Sequence, residues 1–281
     1  AADTVAPGDT VIVRPGNYQG FDLRTSGTGT DRIYFTAEAG VVIDQDNPVT
    51  IDGINLEGVS HVTLEGFTVM GATRAGIRVV GALNEFSKQV TVRRNCADQN
   101  GKWGIFTGFC DDLLIEDNDT SRSGVEHGIY VSNSGDRPVV RRNTVWGNNA
   151  SGIQLNADAS LGGDGIISNA IIEANTIYDN GSAGGAAINC DGVQDSIIRN
   201  NLLYHNHSTG IALFRIDGAE GAKRNLVVNN TVVVASDGRW AVAVKSGSTD
   251  NTFRNNIFYN HHAFRGTLEF DASSLPGLDI N

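Results

Sequence analysis

Short stretches in which apolar and polar residues alternate recur along the whole chain, a period of two that predicts strands rather than helices. The stretches belong to a repeat. An apolar residue followed three places later by Asn occurs at Val92/Asn95, Ile115/Asn118, Val140/Asn143, Ile172/Asn175, Ile198/Asn201, Val227/Asn230 and Phe253/Asn256, with Phe67 in the Asn place after Leu64. Successive Asn lie 23, 25, 32, 26, 29 and 26 residues apart, which reads as a unit of about 23 residues with insertions. A second signature follows in each unit: Gly76-Ile77, Gly104-Ile105, Gly128-Ile129, Gly152-Ile153, Ala187-Ile188, Gly210-Ile211 and Ala241-Val242. Each opens another short strand with its β-branched residue facing inward. Neither helical periods nor a hairpin dipeptide at every junction separates these strands, so each must stack in parallel on its equivalent in the next unit. The expected fold class is all-β, a single-stranded parallel β-helix with one repeat per coil.

Stacking gives the repeated side chains a reason. Amides at one turn position, about 4.8 Å apart, can hydrogen-bond from coil to coil. The residue after each apolar position runs Glu65, Arg93, Glu116, Arg141, Glu173, Arg199, alternating in sign through six units, and Arg94, Asp117 and Arg142 alternate beside it. Opposite charges then face each other across strands, so these residues are read as solvated ladders and set aside as catalytic candidates. Residues 61–270 form the regular coils. Residues 1–60 lack the Asn pattern but alternate at Thr10–Val13, Ile33–Phe35 and Val41–Ile43 between Pro-Gly turns, as opening coils should. Residues 271–281 are read as a tail that continues a longer chain or docks in extended form.

Composition narrows the classes. With 34 Gly, 27 Asn and one Met, a helical bundle is ruled out, and no apolar run approaches a membrane span. A formal charge of −11 argues against binding nucleic acid through an overall positive field. Cys96, Cys110 and Cys190 show no metal-ligand spacing and read as packed thiols.

One face concentrates mixed chemistry. The outward column of the Gly-Ile strands is Arg78, Phe106, Tyr130, Gln154, Asn189, Ala212 and Ala243, and its neighbour is Val80, Gly108, Ser132, Asn156, Asp191, Phe214 and Lys245. Insertions at 81–88, 157–168 and 215–223 fall after this strand, where loops build a cleft. Arg78, Phe106, Glu126, Gln154, Asn156, Asn189 and Asp191 are candidate substrate-binding residues, since oligosaccharides are held by aromatic faces, amides and carboxylates. Lys102, His127 and Tyr130 could serve β-elimination on a uronic acid, which needs a base at the C5 proton, a partner for the carboxylate and a donor to the leaving oxygen. Hydrolysis would need a carboxyl pair, and Asp158, Asp164 and Asp191 come within range of one another if the 157–168 loop folds over the face. Calcium on Asp158 and Asp191 is a further option.

Taken together, the Asn-rich coils resemble the right-handed parallel β-helix proteins of the pectate-lyase-like superfamily, and the likeness supplies the handedness. Pro7-Gly8-Asp9-Thr10 to Tyr18, and Val62 to Phe67, look like the opening coils of the alginate lyase and chondroitinase B group. Val244-Lys245-Ser246, then Asn251 to Asn256 and Arg265-Gly266-Thr267-Leu268, are similar to that group's strand bearing a lysine base and its arginine one coil later. The resemblance implies Lys245 as base and Arg265 as the arginine. It also implies calcium-binding glutamates shortly before the lysine, where this chain has Arg239-Trp240-Ala241-Val242-Ala243. The expectation is a secreted, extracellular or periplasmic monomer that cleaves an acidic polysaccharide as a lyase. A noncatalytic glycan-binding module, a glycoside hydrolase and an epimerase remain open.

Overall fold

The structure, a computed structural model, describes residues 2–281. It is a parallel β-solenoid of about 10 turns whose coils are about 26 residues apart, so insertions stretch the mean beyond the 23-residue minimum seen between Asn95 and Asn118. Each coil gives one strand to each of three sheets. The first sheet has 11 strands running from Thr10–Val13 to Asp279–Ile280, the second 10 from Gly16–Gln19 to Ile257–Asn260, and the third 10 from Phe21–Leu23 to Leu268–Phe270. Strand order within each follows the chain, and every pairing between these strands is parallel. Residues 279–280 pair with Thr252 and Phe253, so the C-terminal stretch docks as a further strand of the first sheet.

The core is a set of aliphatic stacks. Ile77, Ile105, Ile129, Ile153, Ile188, Ile211 and Val242 are all fully buried, one above another. Rings gather in the first and last described coils, Phe21 stacked on Phe35 at 4.9 Å and Phe253 against Phe270 at 6.4 Å.

The Asn column forms the ladder the repeat requires. In each rung the Asn Oδ1 accepts from both the main-chain N–H and the Nδ2 of the Asn one coil earlier, at 2.9–3.1 Å from Asn95 through Asn256. Each Nδ2 also donates to a carbonyl of the preceding coil, as Asn143 does to Ile115 at 3.0 Å. The residue before each Asn adopts positive φ, from Arg94 (54°) to Asn255 (52°). That turn is disfavoured for L-residues, and the ladder offsets it. The charge columns pair as their signs demand: Arg93–Glu65 2.6 Å, Arg141–Glu116 2.8 Å, Arg199–Glu173 2.6 Å and Arg142–Asp117 2.7 Å.

A second Asn ladder stands five residues further along, where Asn148 Nδ2 donates to Asn180 Oδ1 at 2.8 Å and Asn180 to Asn206 at 3.0 Å. Two corners of the coils are thus fastened by amides. The third sheet, between them and the insertion loops, carries the candidate functional face.

Candidate active site

The outward column of the third sheet is in register from Arg78 through Phe106, Tyr130, Gln154, Asn189 and Ala212 to Ala243, and extends to Asn55 above and Glu269 below. Beside it run Gly108, Ser132, Asn156, Asp191 and Phe214, with Lys245 just past the strand Val242–Val244. Arg78 is occupied at the upper end, donating to Asn55 Oδ1 at 2.7 Å and Glu57 Oε2 at 2.8 Å.

The first of two groups on this face surrounds Glu126. Its carboxylate accepts from Trp103 Nε1 at 2.7 Å, pairs with Lys102 Nζ at 3.1 Å and faces His127 Nε2 at 3.7 Å. His127 Nδ1 accepts the main-chain N–H of Ser151 at 3.1 Å, so the neutral ring carries its proton on Nε2. Burial pushes His127 down to about 4, against the pull of Glu126 and with a small push from Lys102. Burial, reinforced by Glu126, raises Tyr130 and keeps its phenol protonated. The Tyr130 ring packs against His127 (5.0 Å), Phe106 (5.3 Å) and Trp103 (5.9 Å), and its hydroxyl has no hydrogen-bond partner among the described residues. With Lys102 matched to Glu126, the group is neutral. It offers rings and donors, but neither a free cation nor an imidazole lone pair.

The second group lies four coil spacings further on, about 19 Å along the axis. Ala212 and Ala243 have little side chain, and the column dips there into a cavity of about 230 Å³. Asn189 stands at one end, Phe214 and Ile216 form one wall, and Arg239, Trp240 and Lys245 complete the lining. The Trp240 ring is flanked by Lys245 Nζ at 4.5 Å and the Arg265 guanidinium at 5.0 Å, so one indole positions both cations implied by the resemblance. Lys245 Nζ also lies 3.3 Å from Glu269 Oε1.

The insertion loops form a continuous rim. Ala159 N–H donates to Asp217 O at 3.0 Å and Ala219 N–H to Gly165 O at 2.9 Å, joining the 157–168 and 215–223 loops. Asp191 anchors the latter: its two oxygens accept the N–H groups of Ile216 (2.9 Å), Asp217 (2.8 Å) and Gly218 (3.2 Å). Burial raises its pKa, and these N–H bonds oppose the rise. Asp158 Oδ1 caps a short 3₁₀ turn through Ser160 N (2.8 Å) and Oγ (2.6 Å), and Asp164 Oδ1 accepts Ile166 N at 3.0 Å. The calcium expectation for Asp158 and Asp191 does not fit, because both oxygens of Asp191 and Oδ1 of Asp158 already face N–H and O–H donors, and N–H dipoles would repel a cation. Among the described residues no group of three His, Cys, Asp or Glu gathers as a metal site. On the floor, Gln154, Asn156 and Asn189 form an amide chain, with Asn189 Nδ2 on Gln154 Oε1 at 2.7 Å and Gln154 Nε2 on Asn156 Oδ1 at 3.1 Å.

Charge separates the two groups. Of the 21 lysines and arginines, only Arg32, Lys88, Arg215, Arg239 and Arg265 lack a carboxylate partner among the described residues. Arg239 lines the 230 Å³ cavity, Arg265 lies on its Trp240, and Arg215 lines an adjoining depression of about 530 Å³. The sequence reveals this only weakly, since a paired arginine and a free one look alike. Their place outside the alternating columns was the available signal.

Comparison with solved structures finds the same fold in several proteins. An alginate lyase from Paenibacillus sp. str. FPU-7 superposes with a TM-score of 0.67 at 16% identity, over 98% of this chain and 94% of that one. The A-module of the mannuronan C-5 epimerase AlgE6 from Azotobacter vinelandii gives 0.62 at 16% identity over 98% and 91%, and the pectate lyase Pel9A gives 0.61 at 17% over 98% and 72%. Such identities establish shared fold. No curated protein sequence matches the chain. The model of the right handed beta helix region matches residues 17–162, 52–214 and 158–274, nearly the whole length, and the chain belongs to the right-handed β-helix family.

Proposed function

We propose that the chain is a carbohydrate-active β-helix protein that cleaves an acidic, uronate-containing polysaccharide by β-elimination in the cavity beside Lys245. The observation that carries this reading is the gathering of uncommitted guanidinium groups there, in a molecule of formal charge −11 whose other cations are mostly matched. A polyanion finds its counter-charge at that one stretch of the groove. The alginate lyase and pectate lyase among the fold neighbours act on such polymers by name.

In this mechanism Lys245 is the base that takes the C5 proton, with Glu269 3.3 Å from its Nζ to hold the resulting ammonium. The C–H electron pair becomes the C4=C5 double bond, the C4–O4 bond breaks, and the departing oxygen takes its proton from water while Lys245 keeps the one from C5. Arg265, held on Trp240, stabilises charge on that oxygen. The Trp103/Phe106/Tyr130 group binds a distant part of the same chain through ring faces and donors. A secreted or periplasmic location suits a polymeric substrate, and no helix among the described residues is long and apolar enough to cross a membrane.

Incubating the protein with alginate, polygalacturonate and glycosaminoglycans while following the ultraviolet absorbance of unsaturated uronate tests the reading. Absorbance that Lys245→Ala abolishes is expected. Reducing ends without absorbance would indicate hydrolysis, C5 inversion without cleavage an epimerase, and binding without turnover a glycan-binding module.

A further inference from the structure

We propose that Arg239 is the receptor for the substrate's carboxylate, standing where the resemblance implies a calcium ion, so that binding requires no divalent cation. The assignment rests on the uronate reading of the same cavity. The stretch before Lys245 carries a guanidinium and an indole instead of carboxylates. Nearby acidic groups are committed, Asp191 to three N–H donors and Glu269 to Lys245. A cationic side chain with no uncommitted carboxylate beside it is a poor calcium site and a good carboxylate site.

The backbone of Arg239 is pinned on both sides: its N–H donates to Ser208 O at 3.0 Å and its carbonyl accepts from Asn260 Nδ2 at 2.8 Å. The guanidinium is left as its uncommitted polar group. It lines the same cavity as Asn189 and Lys245, and its Nη2 passes 3.9 Å from where a Cβ would stand on Gly184. A planar fork there can grip both carboxylate oxygens of a sugar whose C5 faces Lys245. As the C5 proton leaves, negative charge spreads onto that carboxylate, and the fixed cation stabilises it.

Calorimetric titration of Lys245→Ala protein with tetramers of mannuronate, guluronate and galacturonate, and with their carboxyl-reduced counterparts, tests this in calcium and in EDTA. At least one acidic tetramer should bind roughly 10- to 100-fold more tightly than its reduced form, equally in both buffers. Adding Arg239→Gln should erase that preference and Arg239→Lys retain part of it, with circular dichroism and Tm unchanged. Loss of binding in EDTA with recovery in calcium would overturn the assignment, as would an intact preference in the Gln variant or no binding of any tetramer. If the preference depends on Arg239 but wild-type protein yields no unsaturated product, the lyase reading falls and this assignment stands.

Discussion

The main-chain N–H of Ser151 donates to Nδ1 of His127 across one coil boundary, and this fixes which imidazole nitrogen holds the proton. Protonating the ring would set a second N–H against that donor in a buried place. The folded-state value near 4 lies below the unfolded value of about 6.5, so the unfolded chain takes up the proton first as pH falls. The contribution of His127 is complete above about pH 6.5 and declines between there and about pH 4, by at most about 3 kcal/mol. Thermal melts should show His127→Gln losing less stability than wild type over that interval. Parallel curves would refute the lowered pKa of His127.

The two groups on the groove should separate kinetically. Phe106→Ala and Tyr130→Phe are expected to raise KM for long substrates with little change in kcat, because their group lacks both base and free cation. Trp240→Leu should lower kcat, because Lys245 and Arg265 lose the ring that holds them. Initial-rate measurements on polymers of graded length distinguish the two patterns.

Asn143 gives the ladder a direct test. It accepts from Asn118 N and Nδ2, each at 3.0 Å, and donates to Ile115 O and Asn175 Oδ1. Asn143→Ala would strand several buried polar groups at once, lowering stability by about 3 kcal/mol or more in denaturant titration. Asn200 is also an Asn beside the ladder, but it occupies the exposed turn position before the rung at Asn201, so Asn200→Asp should change stability far less.

Ion pairs that look similar in sequence should differ in weight. Asp52 is fully buried, and burial pushes its carboxyl up, yet hydrogen bonds from Arg74 (2.8 and 2.6 Å) and Thr50 hold it below the ordinary range. Arg74→Met leaves that carboxylate uncompensated and should remove about 3–5 kcal/mol at neutral pH. The wild-type contribution is full above the ordinary Asp value and is lost as pH falls through the depressed one. Arg199→Met, in the half-exposed Glu173 pair, should change stability by under about 1 kcal/mol.

The solenoid was legible because its signals are local and periodic. One Asn per coil, one inward Ile and alternating charge fix which residues meet, and the register from Arg78 to Ala243 follows. The second ladder went unread, since Ser123 interrupts the column of Asn100, Asn148, Asn180 and Asn206 and Ala72 stands before it. The state of the site was less accessible. That Asp191 serves the loop through three N–H groups, that Trp240 lies between Lys245 and Arg265, and that Arg239 stays unpaired all depend on where insertions fold. No repeat records that path.

Because each inner rung of the amide ladder clasps the rungs on both sides, the loss of one loosens two coil boundaries at once. Asn256, the last rung, bonds only toward Asn230 and Val227 within this ladder. Arg265 lies beyond it, and Lys245 one turn before. Breaking the rung at Asn230, which joins Asn201 to Asn256, should therefore loosen the Lys245 cavity while the coils around Asn118 and Asn143 stay wound.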